Sequence, residues 1–289
     1  MSKFKNFNPK DMELRNVHQL LLSSIAPRPI GFTSSISKDG NINLAPFSYH
    51  NAFSTNPPVI GISPAFSGRT GKAKNTLINI LDTKEFTLSI VTYEMVEQMN
   101  ICAAEYPNGV NEFLKSGLEE SPSKIISVPG VKSSPLIMEC KLIQHIELSS
   151  KPAGGNLLLG EIVQFHADKS IFNKDGKLDP KKIDQVARLG YNWYSRANNG
   201  LFELPVSKHL PIGVDSLPDE IKKCSYFKGK HLARLASVEN IPERKVNKEL
   251  ITTYSRMSKD EKLKICSTLV DQGRIIEGWQ ILYLAEIIT

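Results

Sequence analysis

Residues 27–64 constrain this chain more than any other segment, because apolar residues recur there at period two and turn chemistry interrupts them at short intervals. Ile30 and Phe32, then Ile42 and Leu44, alternate with small or polar neighbours, as half-buried antiparallel strands require. Lys38-Asp39-Gly40-Asn41 lies between them, where Gly40 can take a positive φ without steric cost. Asn56-Pro57-Pro58 ends the second strand, since proline has no N–H for a ladder and restricts the residue before it. Val59, Ile60 and Ile62 open a third. The second strand is predicted to run through residues 43–54 and is polar for a core strand: Asn43, Ser48, Tyr49, His50, Asn51 and Ser54 stand among small apolar residues. A strand of that makeup lies on a sheet edge or lines a polar pocket.

Further along, Gly68-Arg69-Thr70-Gly71-Lys72-Ala73-Lys74 is a basic, glycine-containing loop, and Asn75 or Thr76 is placed to cap a short helix over residues 77–81. Residues 85–91 alternate as a fourth strand, and residues 93–105 carry a helical pattern. Residues 108–131 are loop-rich, with a short helix at 112–115. Two long strands follow at 136–148 and 156–167, joined by a polar turn, and Asp179-Pro180 starts a short helix. Consecutive antiparallel strands with few helices suggest a small barrel rather than a doubly wound sheet. No GxGxxG follows a strand and no GxxxxGK[ST] occurs, so a nicotinamide cofactor is not held in a Rossmann crevice.

From Pro205 onward helical patterns replace strands, at 217–223, 229–238, 247–257 and 259–271, before an apolar segment at 275–288. Ser258 to Glu261 has the spacing of a capping box. The expected division is therefore 1–204 and 205–289, the second part being a helical extension packed on the first or on a dimer partner.

Composition excludes several function classes. The charge of +6 is shared evenly between the parts before and after Pro205, without the dense basic stripe that nucleic acid demands. No apolar run approaches the roughly 20 residues of a membrane helix, and the polar start is no signal peptide. Cys102, Cys140, Cys224 and Cys266 are widely spaced, which points to a reducing cytoplasm and not to a disulfide or zinc framework. There is no GxSxG elbow and no HExxH, and His18, His50, His145, His166, His209 and His231 show no metal spacing, so no metal site is expected.

The run PRPIGFTSS, a turn glycine, and then NLAPFSYHNAFSTNPPVIGISP resembles the flavin reductase-like family. The likeness extends to about Leu204. It implies a mainly β, antiparallel, Greek-key type split barrel that binds FMN (or FAD), with flanking helices and an α-helical C-terminal extension. It also implies a homodimer with the flavin near the subunit interface. By this resemblance the flavin-facing residues are Pro46, Phe47, Ser48, Tyr49 and Asn51. Ser63, Arg69, Lys74, Asn75 and Thr76 form the phosphate loop, where the family's Lys-Asp-Thr reads Lys74-Asn75-Thr76. His166 is expected near the flavin or nicotinamide face, and Tyr194 or Trp193 over the flavin. The implied activity is reduction of flavin by NADH or NADPH, through hydride transfer to N5. Flavin is then either retained or passed to a partner oxygenase. The isoalloxazine carries the electrons, so no side chain is named as catalytic. The rival from another class is a flavin- or heme-type binding module without turnover, whose tail contacts a partner. An oxidase of the pyridoxamine phosphate type needs a second phosphate site, and none is found in the sequence.

Overall fold

The alternating segments do fold as antiparallel strands. A computed structural model describes residues 3–204, 206, 209–245 and 248–288, and the chain divides into two units between Phe202 and Glu203. In the first unit, α1 (Leu14–Ser24) leads into the short β1 (Arg28–Pro29). Next come β2 (Gly31–Ile36), β3 (Ile42–Phe47), β4 (His50–Thr55) and β5 (Pro58–Ile62). After α2 (Asn75–Thr83), β6 (Glu85–Ile90), α3 (Val96–Ile101) and α4 (Glu112–Ser116), a small ribbon pairs β7 (Glu120–Ser121) with β8 (Gly130–Val131). The long strands β9 (Leu136–Glu147) and β10 (Asn156–Ala167) precede α5 (Pro180–Ile183). Finally β11 (Val186–Arg188) and β12 (Tyr194–Arg196) join β1 in a three-stranded sheet.

The main sheet has the order β3-β2-β6-β9-β10-β5-β4. Its two edge strands, β3 and β4, are consecutive in the chain. The second strand predicted at 43–54 is therefore two strands: Phe47 pairs with Gly31 of β2, whereas His50 pairs with Ile62 of β5. Ser48 and Tyr49 form the bend where the chain changes partners. The predicted turn is present, with Gly40 at φ 83° and Ile36 opposite Ile42. The glycine at 61 has a packing cause: a Cβ there would lie 2.5 Å from Cε2 of Phe53 on the neighbouring strand.

Helices depart from expectation at their ends. The helix predicted over 93–105 shortens to α3. Neither Asn75 nor Thr76 caps α2; both lie inside it and Lys74 is the N-cap, without a side-chain hydrogen bond. α1 is not among the predicted elements, and none of its residues, its leucines included, is buried.

One apolar core of this unit gathers Ile60, Ile62, Phe86, Leu88 and Leu158 of the sheet with Leu77 and Ile80 of α2. A second gathers Phe32, Leu44, Met95, Met99 and Phe113. Thr33, Ser34, Ser35, Thr87 and Ser89 are buried as well. Thr87 Oγ1 donates to Pro129 O at 2.8 Å and Ser89 Oγ accepts from Val131 N at 3.1 Å, so these two hydroxyls fasten the strap at β8.

The second unit is helical: α6 (Asp219–Lys222), α7 (Gly229–Leu235), α8 (Lys248–Tyr254), α9 (Lys259–Asp271) and α10 (Ile275–Leu284). The helix expected over 247–257 begins at a residue outside those described. α9 starts with the predicted capping box, Ser258 Oγ accepting from Glu261 N. Trp279 centres this unit's core with Leu235, Leu263, Cys266 and Leu282, and its Nε1 donates to Leu235 O at 3.1 Å.

Candidate functional site

A cavity of about 1180 Å³ opens in the first unit, walled by α1, β3, the 48–49 bend, the 63–76 loop, the segment after α3, and Arg188 with Tyr194. It gathers Pro46, Phe47, Ser48, Tyr49, Ser63, Arg69, Lys74, Asn75, Thr76 and Tyr194, residues widely separated in sequence. Two expected residues are not brought here. Asn51 is exposed on β4, with its Oδ1 accepting from Ala52 N at 2.8 Å, and borders a separate shallow hollow with Phe53 and Leu157. His166 binds the carboxylate of Glu139 at 2.5 Å instead. Trp193 is exposed and does not line the cavity.

The 63–76 loop folds on itself. Ser67 N donates to Lys72 O at 2.9 Å and Gly71 N to Ser67 O at 2.8 Å, while Phe66 N reaches Gly154 O at 2.9 Å. Lys74 Nζ contacts Glu105 Oε1 at 2.6 Å, and Arg69 Nη2 lies 3.6 Å from Glu105 Oε2. The Lys74 hydrogen bond holds the Glu105 carboxyl below its ordinary range. Because α2 begins without a side-chain cap, its first-turn N–H groups and dipole suit an anion beside these two cations.

Under this loop runs a buried relay that sequence reasoning missed. Thr76 Oγ1 donates to Asn43 Oδ1 at 2.6 Å, and Asn43 Nδ2 donates to Glu112 Oε1 at 2.9 Å. The second oxygen of Glu112 accepts from Leu44 N, also at 2.9 Å. Burial pushes the Glu112 carboxyl above its ordinary pKa, against these hydrogen bonds. The relay fixes the Thr76 hydroxyl as a donor to Asn43, leaving its oxygen lone pairs for other partners. Cys102 lines the same wall, and burial pushes its thiol up to about 11.

At the opposite wall, Arg28 is buried. Its Nη1 donates to Leu22 O and Ile25 O, its Nη2 to Leu189 O at 3.0 Å, and its Nε weakly to Ser48 Oγ at 3.4 Å. Arg188 donates to the Tyr194 hydroxyl and to Tyr191 O. Spacing singles out neither arginine; Arg28 stands in the PRPIGFTSS run, and Arg188 opens the 188–194 segment that resembles the family's closing segment near the site.

Residues 23–182 match the model of the flavin reductase like domain. The chain belongs to the flavin reductase-like family. A relative from Aquifex aeolicus (strain VF5) is 35% identical over 192 residues, which make up 66% of this chain and 95% of that protein. Among solved structures, nitrilotriacetate monooxygenase component B from Bacillus cereus superposes with a TM-score of 0.66 at 32% identity, over 71% of this chain and 100% of its own. A split-barrel protein from Shewanella frigidimarina, described as a flavin reductase, gives a TM-score of 0.60 at 26% identity, over 70% and 100% respectively. The fold is the family's split β-barrel, opened between β3 and β4. The matched family domain ends before the helical second unit begins.

Proposed function

We propose that this protein is an FMN-binding oxidoreductase that uses NADH or NADPH to reduce flavin. The observation that carries the reading is one cavity with a polar bend on one wall and a cationic loop at a helix start on another. Arg69 and Lys74 would hold the flavin phosphate with the first turn of α2, and Thr76, its proton committed to Asn43 by the Glu112 relay, would accept a hydrogen bond from a ribityl hydroxyl beside it. The main chain of residues 46–49, with Ser48 and Tyr49, would meet the ring system, and Ala45, Ala73 and Ala103 leave it room. The bound flavin would supply the redox chemistry, accepting hydride at N5. Tyr194, across the cavity, would cover the reacting face. At about 1180 Å³ the cavity exceeds the roughly 300–1,000 Å³ of ordinary ligand pockets, so a second reactant fits beside the first.

The flavin domain on this reading is 1–204, with 205–289 as an appended helical module. A homodimer is supported by apolar surface that the first unit leaves bare: Leu14, Leu20 and Leu21 of α1, and Phe53 and Ile143 of the main sheet, are all exposed. Asn51 on edge strand β4 would reach flavin only across such an interface. The four free cysteines fit a cytoplasmic setting, and no helix among the described residues is long and apolar enough to cross a membrane. If flavin leaves after reduction, the consumer is a partner oxygenase.

The visible spectrum of the purified protein tests this. Flavin bands that bleach anaerobically with NADH or NADPH are expected. Bands that do not bleach would favour a binding module without turnover, and a colourless protein that takes up no added FMN would sink the flavin reading. Replacing both Arg69 and Lys74 by Ala should weaken FMN binding by about 1.5–3 kcal/mol, the worth of a charge-assisted hydrogen bond. The lower end is expected, since Glu105 already engages both cations. Unchanged affinity would move the phosphate site elsewhere.

A further inference from the structure

The geometry points to a second anion subsite in this cavity, at Arg28 and Arg188, that takes the carboxylate or phosphate of the reactant sharing the cavity with flavin. It rests on the cavity being the flavin site, and goes beyond that reading by giving the co-reactant a charge and a place.

Arg28 and Arg188 are direct partners in the antiparallel pairing of β1 with β11. Like charges directly opposite one another destabilise a sheet. The arrangement at the other wall is the reverse, where Lys74 and Arg69 share the carboxylate of Glu105. Among the described residues no carboxylate pairs with Arg28 or Arg188, although other surface cations of this unit, such as Lys38, Lys132 and Arg196, each have one. Arg28 is only 4% exposed, so solvent screens little of its charge. Its N–H groups go to the carbonyls of Leu22, Ile25 and Leu189, which satisfy hydrogen bonding without cancelling a unit charge. Burial lowers the Arg28 pKa, Tyr49 opposes that, and the charge of Arg188 adds to it, while an arginine stays protonated throughout.

The wall around the pair is built to hold a polar group. Arg28 Nε reaches Ser48 Oγ weakly, and Arg188 stacks over the Tyr194 ring with its Cζ 4.6 Å from the centroid. Arg188 gives one N–H to the Tyr194 hydroxyl and one to Tyr191 O, so three of its five N–H donors remain for a carboxylate or a phosphate. Arg15 and His18 of α1 line the same wall and bring no negative charge. An anion seated here would relieve the repulsion across the β1–β11 pair and complete the electrostatics of the wall. A dinucleotide's diphosphate and an acceptor's carboxylate share this chemistry.

The test is calorimetric titration of the full chain at constant ionic strength with inorganic pyrophosphate and, separately, with benzoate. FMN affinity is measured first, and the loaded protein is used so that the 63–76 loop is already engaged. Wild type should bind at least one probe, and Arg188→Gln should weaken it by about tenfold or more, the scale of one lost charge-assisted bond. Arg188→Lys should recover part of the loss, and FMN affinity should move by less than a third of that factor. Loss confined to pyrophosphate identifies a phosphate-bearing co-reactant, and loss confined to benzoate a carboxylate. If wild type binds neither probe, or Arg188→Gln binds both as wild type does, the subsite is overturned. It is equally overturned if FMN affinity falls as far as the probe's, because the arginines would then serve the flavin. If FMN itself does not bind, the flavin reading fails, and the same two titrations on the ligand-free protein still decide the arginine site.

Discussion

Glu112 and Glu139 are both buried in the first unit, yet their surroundings drive them in opposite directions. Glu112, beneath the cavity, accepts one hydrogen bond from Asn43 and one from Leu44 N, and burial wins: its carboxyl is pushed above the ordinary pKa. Glu139 lies on β9 away from the cavity. Burial pushes it up as well, but the N–H groups of Lys124, Ile125 and Ile126 and the ring of His166 together outweigh that and hold it below the ordinary range. The difference lies in the donors. Four donors make Glu139 a fixed anion that staples the 124–126 loop to the sheet, whereas two leave Glu112 able to take a proton beside a ligand.

Removing each group should separate the roles. Glu139→Ala leaves three main-chain N–H groups without their acceptor and should cost about 3–5 kcal/mol, read from the denaturant midpoint of the first unit. A cost under ~1 kcal/mol would mean the loop finds other acceptors. His166→Leu, which removes one donor of four, should cost about 1 kcal/mol and leave FMN affinity unchanged. A large loss of flavin binding there would return His166 to the ligand site.

The two carboxylates also predict opposite pH slopes. A carboxyl depressed in the folded state lends stability above its unfolded value, about 4.3, and that contribution is lost as pH falls through the folded value. Hydrogen exchange of Ile125 and Ile126 should therefore accelerate below that range, and not in Glu139→Gln. A carboxyl raised on folding does the reverse: stability declines as pH rises from about 4.3 through the folded value of Glu112. Glu112→Gln should erase this slope and change stability by less than ~1 kcal/mol, because a flipped Asn43 amide can still satisfy both partners. That flip turns Thr76 from donor into acceptor, so FMN affinity should shift a few-fold.

The smallest effect is expected at Glu105, an exposed carboxylate that rests on the cations of the loop. Glu105→Gln should tighten FMN binding by a few-fold, the scale of an exposed ion pair at about 0.2–1 kcal/mol. Weaker binding would show that Glu105 orders the loop rather than competes for it.

How far the sequence reveals this follows from the range of each interaction. The strands, the Gly40 turn, and the capping box at Ser258 depend on neighbours within a few residues, and the pattern of side chains shows them. The break at Ser48-Tyr49 depends on β5 capturing His50, and alternation alone cannot report a change of partner. Glu112 meets Asn43 and Leu44 only because α4 packs under β3, so nothing near it in the chain marks it as special. His166 is visible as a histidine ending a strand, but its partner is set by the cross-strand pairing of β10 with β9. The pairing of Arg28 with Arg188 is hidden for the same reason.

The cysteines carry a practical consequence. Burial pushes the thiols of Cys102 and Cys266 up to about 11 and 12, and raises that of Cys140 as well. Alkylating reagents and peroxide attack the thiolate, so near neutral pH all three should react slowly while the fold holds. The half-buried Cys224 is left as the position for a single fluorescent label, with no cysteine replaced. Cys102 therefore lines the cavity as a thiol slow to oxidise rather than as a reactive group.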